Sequence, residues 1–252
     1  MKNFAKFKLR ESPQRCAECE VRKLALFGAI PDSYVSQAQE FRKSQIEVEA
    51  RATVYDEDAP SSNAYTVFEG WVLLYRAHSD GTFQGLRVAL PGDFIGFMPR
   101  SAGSYHHSAM SISNAVLCCF SQENLHRIIE THTELGARIY AMQSEYMANC
   151  QSTLLGLGRK SAEQRITHLL ADLHYRMSIR KMLDGHTDSM PFPMTQEMVG
   201  QMTGLTAVHV NRVVRRLKQD KVCEFTREAI VNMDVAKLTE IGEFVRPTRY
   251  TS

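Results

Sequence analysis

The chain has 252 residues, 44% apolar and 23% charged, with 30 Lys and Arg against 28 Asp and Glu. It is long enough for one large or two smaller cored domains, and its near-neutral balance excludes a strongly basic or acidic tail protein. Charge is unevenly spread: residues 1–155 carry 15 basic and 17 acidic side chains, whereas 156–252 carry 15 and 11. The mildly basic C-terminal part permits DNA binding.

The opening MKNFAKFKLRESP lacks the continuous apolar core of a signal peptide, and no run reaches membrane-spanning length. A cytoplasmic protein without membrane contact is expected, its six cysteines serving as thiols or metal ligands. The first two, Cys16 and Cys19, stand at C-x-x-C spacing.

Residues 48–120 alternate apolar and polar residues in short runs. Turn signals at Asp58–Ser62, Ser79–Gly81, Pro91–Asp93 and Ser101–Ser104 break them. This pattern predicts an antiparallel sandwich or barrel. From Ser121 the period becomes helical. SQENLHRIIETH predicts a short helix, and a long one follows, with Ile139, Met142, Tyr146, Thr153, Leu154 and Leu157 in one stripe. So long a stripe needs a cover, and a second copy in a coiled-coil-like dimer supplies it. Ile139, Met142, Tyr146, Met147, Cys150 and Leu154 are the expected interface. Further helices are predicted within 161–180, and HTDSMPFP, 186–193, reads as a loop.

The most informative segment is MTQEMVGQMTGLTAVHVNRVVRRLKQDKV, 194–222. Thr195 caps a first helix and Gly204 ends it in a left-handed conformation. Thr206 caps a second helix, and Gly200 is small enough for close crossing. Val210, Val213 and Leu217 face inward with Leu205. This is a helix-turn-helix. Val208, Asn211, Arg212 and Arg215 project outward, with Ala207 and His209 at the edges. Arg212 suits a guanine edge, whereas Arg215, Arg216 and Lys218 suit phosphates. KVCEF and IVNM then predict a two-stranded wing hairpin, with Cys223 in its core. The Met run at 190–202 is read as packing.

A β domain, a long dimer helix and a winged helix-turn-helix together resemble the CRP/FNR superfamily of bacterial transcription regulators. Gly70, Gly81 and the run Pro91–Gly96 fall at that family's turns, and GRKSAEQRI, 158–166, looks like its hinge. The resemblance implies an α+β fold. An N-terminal antiparallel β-roll, a cyclic-nucleotide-binding-like jelly roll, precedes a dimerisation helix and a winged helix-turn-helix. The expected divisions are a cysteine-containing segment 1–27, a sensor domain 28–133, a dimerisation helix 134–158 and a DNA-binding domain 159–252. It also implies a homodimer on palindromic double-stranded DNA, contacting RNA polymerase. Thr206, Ala207, Val208, His209, Asn211, Arg212, Arg215 and Arg216 would lie at the DNA. The superfamily often has a glutamate where this chain has Val208.

The family's cyclic-nucleotide branch needs a glutamate and an Arg-Ser pair. Phe97 and His107 replace the first two and only Ser108 matches, so cyclic AMP is not expected. The FNR branch holds an iron–sulfur cluster on three N-terminal cysteines and one in the β domain. Cys16, Cys19 and Cys118 match three of these, but the third N-terminal position is Ala25. Cys119, facing the opposite side of its strand, is a poor substitute. Three readings stay open. The cysteines hold an incomplete cluster that senses oxygen or nitric oxide, form a dithiol redox switch, or are remnants in a constitutive or metabolite-sensing protein. Cys150 replaces an interface aspartate of the FNR branch, which implies a more stable cofactor-free dimer. His106 and His107 are set aside as metal ligands. An enzyme of the cupin type is set aside for want of converging His and Glu residues.

Overall fold

The residues that the pattern marks as alternating form strands in the computed structural model, which describes residues 7–31, 35–183 and 188–246. The chain divides into two compact units, parted between Tyr146 and Met147 inside its longest helix.

The first unit holds nine strands. They are β1 (Lys8–Leu9), β2 (Arg42–Val48), β3 (Thr53–Tyr55), β4 (Asn63–Glu69), β5 (Val72–Ala77), β6 (Phe83–Ala89), β7 (Phe94–Ile95), β8 (Ser108–Ser111) and β9 (Ala115–Ser121). One sheet has the order β1-β2-β9-β4-β7 and the other β3-β8-β5-β6. Inward residues of both sheets, among them Val48, Val67, Leu74 and Leu117, build one core. The opposite face of the five-stranded sheet packs under helices, where Phe120 and Cys118 meet Leu26, Phe27, Leu125, Ile128, Leu135 and Ile139. Side chains alternate along β9, so Cys119 enters the first core and Cys118 the second.

Four helices belong to this layer: α1 (Glu20–Leu24), α2 (Val35–Phe41), α3 (Gln122–Thr131) and the start of α4 (Thr133–Arg159). The Ser121 hydroxyl caps α3 by accepting from the Asn124 N–H. The strand β2 begins before the expected sheet boundary, because its first half is polar and conceals the alternation. Gln45, inside it, is nevertheless buried.

Of the expected dimer residues, Ile139 is 8% exposed and lies in the core of its own unit. It is not part of the apolar face that α4 leaves exposed. Tyr146 is half-buried with the Arg87 guanidinium 5.5 Å from its ring centroid. Arg87 also pairs with buried Asp93 at 2.9 Å, and the second Asp93 oxygen accepts the Leu90 N–H. The uncovered apolar face of α4 is instead Tyr140, Met147 and Leu154, seven residues apart and 78%, 59% and 72% exposed. Two faces that the sequence merges into one are thus distinct.

The second unit contains α5 (Ala162–Ile179), β10 (Met190–Pro191), α6 (Gln196–Thr203), α7 (Ala207–Gln219), β11 (Glu224–Phe225), β12 (Ala229–Val231) and α8 (Val235–Ile241). Ser161 and Gln164 form a reciprocal capping box at the start of α5. The wing has three strands, in the order β10-β12-β11, rather than two. Its extra strand falls in the segment read as a loop, of which His186 and Thr187 lie outside the described residues. Met190, Met194, Met198 and Met202 are buried packing residues.

Lys160, between α4 and α5, is buried. Its ammonium donates to the Gly242 carbonyl at 2.7 Å, and His168 Nδ1 stands 3.0 Å away. His168 Nε2 faces the Ser152 hydroxyl at 3.1 Å. Nδ1 also lies 3.0 Å from the Gly242 carbonyl oxygen, which can only accept, so the lysine and the imidazole converge on that oxygen. Burial, and then the Lys160 charge, hold His168 below the usual histidine range. The unfolded chain takes that proton near pH ~6.5, where the folded ring refuses it. Folding therefore weakens as pH falls from about 6.5 to the lower folded value, and not further. Lys160→Met should cost about 1–3 kcal/mol in urea unfolding by removing a buried charged donor from the Gly242 carbonyl, which His168 Nδ1 still reaches. It should also raise the His168 titration midpoint, followed by NMR. An unmoved midpoint would show that the lysine charge does not reach the ring.

Candidate DNA-reading helix and cysteine segment

Local chemistry builds the helix pair. The Thr195 hydroxyl accepts from the Met198 N–H at 3.3 Å, and Thr206 does the same for His209. Gly204 has φ +66°, a conformation that costs other L-residues energy. At Gly200 an added Cβ would sit 2.5 Å from the Leu205 carbonyl oxygen, so only glycine lets the turn approach. Val210 and Leu217 are fully buried, which turns the opposite face of α7 to solvent.

On that face lie Ala207, Val208, His209, Arg212, Arg215 and Arg216, all exposed. Arg212 and Arg215 carry no ion pair among the described residues, whereas Arg216 reaches Glu163 at 3.5 Å and Asp220 at 3.4 Å. Asn211 is half-buried, and its amide nitrogen donates to Gln196 Oε1 at 3.1 Å. It braces α6 against α7, a role the helical wheel did not reveal.

The cysteine segment is held by polar side chains. The Cys19 N–H donates to the Cys16 carbonyl at 3.3 Å, closing a turn around the pair. Gln45, 2% exposed, accepts from the Gln14 N–H at 3.0 Å and donates to Cys118 Sγ at 3.5 Å. Arg42 donates to the Gln14 carbonyl at 2.7 Å and also lies beside Cys118. Burial pushes the Cys118 thiol up, while the Arg42 charge and the Gln45 bond pull it back. Cys16 is raised by burial too, offset by Arg42 and reinforced by Cys19.

These residues do not fit an iron–sulfur cluster. Cys118 is engaged by an amide and a guanidinium. The third N-terminal position, Ala25, is buried and offers no donor. Among the described residues no group of three or more His, Cys, Asp or Glu is gathered for a metal.

Inside the β-roll, His107 Nε2 lies 3.0 Å from the Tyr55 hydroxyl. Tyr55 stacks on Tyr105 at 4.2 Å between centroids and on Tyr65 at 6.1 Å. The Tyr105 hydroxyl donates to the Asn63 carbonyl at 2.7 Å. Burial, then the neighbouring His106, lower the His107 pKa, so the ring stays neutral. His107 stands at the position where the resemblance places the nucleotide branch's arginine.

The sequence matches two families, described as "Cyclic nucleotide-binding domain" over residues 45–132 and "Crp-like helix-turn-helix domain" over 164–241. Among characterised relatives, the nitrogen fixation regulation protein FixK of Rhizobium meliloti is 32% identical over 66% of this chain and 71% of its own. The chain belongs to the CRP/FNR family. FixK of Bradyrhizobium diazoefficiens is 26% identical over 90% of this chain and 93% of its own. The transcriptional activator protein FnrL of Cereibacter sphaeroides is 26% identical, with 90% and 91% covered. The solved structure of FixK2 from Bradyrhizobium japonicum superposes with a TM-score of 0.71 at 23% identity, covering 81% of this chain and 98% of that one. As a CRP/FNR member this protein is a transcription regulator with a DNA-binding helix-turn-helix, not an enzyme. No described helix is long and apolar enough to cross a membrane.

The burial of the thiols sets an order of reactivity. Alkylation of the native protein at pH ~8, mapped by mass spectrometry, should modify Cys16 and Cys19 well before Cys118, Cys119 and Cys223. Early modification of Cys118 would show that Gln45 and Arg42 do not shield it.

Proposed function

We propose that this CRP/FNR regulator is a cytoplasmic homodimer that reads a two-fold symmetric DNA site and answers a redox cue through Cys16 and Cys19 as thiols. The dimer rests on the exposed Tyr140, Met147 and Leu154 stripe of α4, a seven-residue repeat that a second α4 would cover. Cys150, half-buried at the edge of that stripe, adds no charge to the seam. Two copies of α7 would then enter successive major grooves, with half-sites about one DNA turn apart. RNA polymerase is the expected partner at the promoter. Cyclic AMP in the family pose is not part of this reading, because His107 is neutral and bonded to Tyr55.

The observation that carries the thiol reading is the turn closed by the Cys19 N–H and Cys16 carbonyl, which holds the pair at close range. A hydroperoxide oxidises one thiolate to sulfenic acid and leaves as its alcohol. The second thiol attacks that sulfur, forming the disulfide and releasing water. The segment leads into α1, and Arg138 on α4 donates to the Leu24 carbonyl at its end at 3.0 Å. Strain in the turn is thereby passed to the dimer helix, where it biases the populations of two packings.

Two measurements test this. Met147→Glu with Leu154→Glu should convert the protein to monomers in sedimentation equilibrium and weaken DNA binding at least tenfold. A persistent dimer would place the seam elsewhere. Protein purified without oxygen should be colourless, should lose two thiols per monomer to hydroperoxide, and should change its DNA affinity as it does so. Cys16→Ser should abolish that change. A brown protein with about four iron and four sulfide per monomer would overturn the thiol reading in favour of a cluster. Oxidation without any effect on DNA affinity would leave a regulator that does not sense through these cysteines.

A further inference from the structure

On α7 the exposed strip has an unusual chemistry. Positions 208, 212, 215 and 219 share one direction on a 3.6-residue helix, and they are Val, Arg, Arg and Gln. Val208 is 63% exposed at the N-terminal end of that strip. Recognition helices place such N-terminal residues against base edges. No residue of α7 is acidic, so the helix has no carboxylate to accept from a cytosine amine. The Asn211 amide nitrogen is bonded to Gln196, and the Thr206 hydroxyl to the His209 N–H. The N-terminal end of the strip thus presents a branched apolar group followed, one turn on, by a guanidinium, with Arg215 and Gln219 further along.

From this we infer that Val208 is a specificity-determining residue that reads the C5-methyl group of a thymine. The thymine methyl is the apolar feature of the major groove, and an apolar side chain is its complement. Arg212 follows four residues later, about 6 Å along the helix axis. With base pairs stacked about 3.4 Å apart, the thymine lies within one or two base pairs of the guanine that Arg212 holds. The inference rests on the DNA-binding reading of α7. It adds a base preference that the loss of a carboxylate at this position otherwise leaves open.

The test uses the full-length dimer. A preferred site is selected from randomised two-fold symmetric duplexes. Each thymine is then replaced, in both half-sites together, by deoxyuridine, which removes the methyl group and nothing else. One thymine per half-site should stand out, its replacement weakening wild-type binding about fourfold per half-site, the value of one buried methyl-sized group. Val208→Ser should bind the thymine and uracil duplexes equally, while keeping its preference for guanine at the Arg212 position. Because Val208 is exposed, that variant should fold as the wild type does. If the wild type discriminates the selected site from scrambled DNA but tolerates uracil at every position, the Val208 inference is overturned and DNA reading stands. If no duplex is bound in a salt-sensitive manner, the DNA-binding reading fails and Val208 falls with it.

Discussion

The helix α4 must satisfy two apolar faces at once, and much of this protein follows from that constraint. Leu135 and Ile139 are sealed into the core beneath the five-stranded sheet, and they anchor the helix to the first unit. Tyr140, Met147 and Leu154 emerge on the other side with nothing from the described chain over them. Burying a side chain of this size is worth about 1.5–3 kcal/mol, and a second α4 would recover that from both copies. A helix anchored on one face and paired on the other can carry a change in the first unit to its far end. From Met147 onward that helix already belongs to the second unit.

The polar cluster around Cys118 follows from a different economy. Gln45 is almost fully buried, and a buried amide must have partners. It finds them in the Gln14 N–H and the Cys118 sulfur, while Arg42 holds the Gln14 carbonyl. The N-terminal segment is thus fastened to β2 and β9 by side chains of this chain alone. Burial holds the Cys118 thiol protonated, while the Arg42 charge and the Gln45 bond pull the other way. Ala25, buried where a ligand is expected, belongs to the same arrangement. Its small side chain packs where a thiolate would need a metal.

Local rules made the helix pair legible in the sequence. Thr195, Gly200, Gly204 and Thr206 each have one conformational role, and those roles agree at fixed spacing. The β-roll was legible from alternation between turn signals, and Cys118 and Cys119 on opposite faces from strand geometry. Three features were hidden for physical reasons. The first half of β2 buries a glutamine, so its alternation is not apolar. The strand Met190–Pro191 is only two residues long and contains a proline, which is tolerated because it sits at a sheet edge. On α4 the two apolar faces lie about 100° apart, so their residues interleave, and Ile139 and Leu154 look like one stripe. Only burial separates them.

Cys118 and Val208 use exposure in opposite ways. At Cys118 a reactive group is withdrawn from solvent and fenced by Gln45 and Arg42. At Val208 an apolar group is left in water, at the N-terminal end of a strip otherwise made of cations and amide. A lone exposed valine needs no explanation on an ordinary surface. On a recognition helix it does, because each outward position there decides which base edge is tolerated. Positive charge, as at the exposed Arg215 and Arg216, suits phosphates of any sequence. Selectivity therefore falls to the few side chains able to tell bases apart, and in the reading proposed above Val208 and Arg212 are among them, beside the exposed Ala207 and His209.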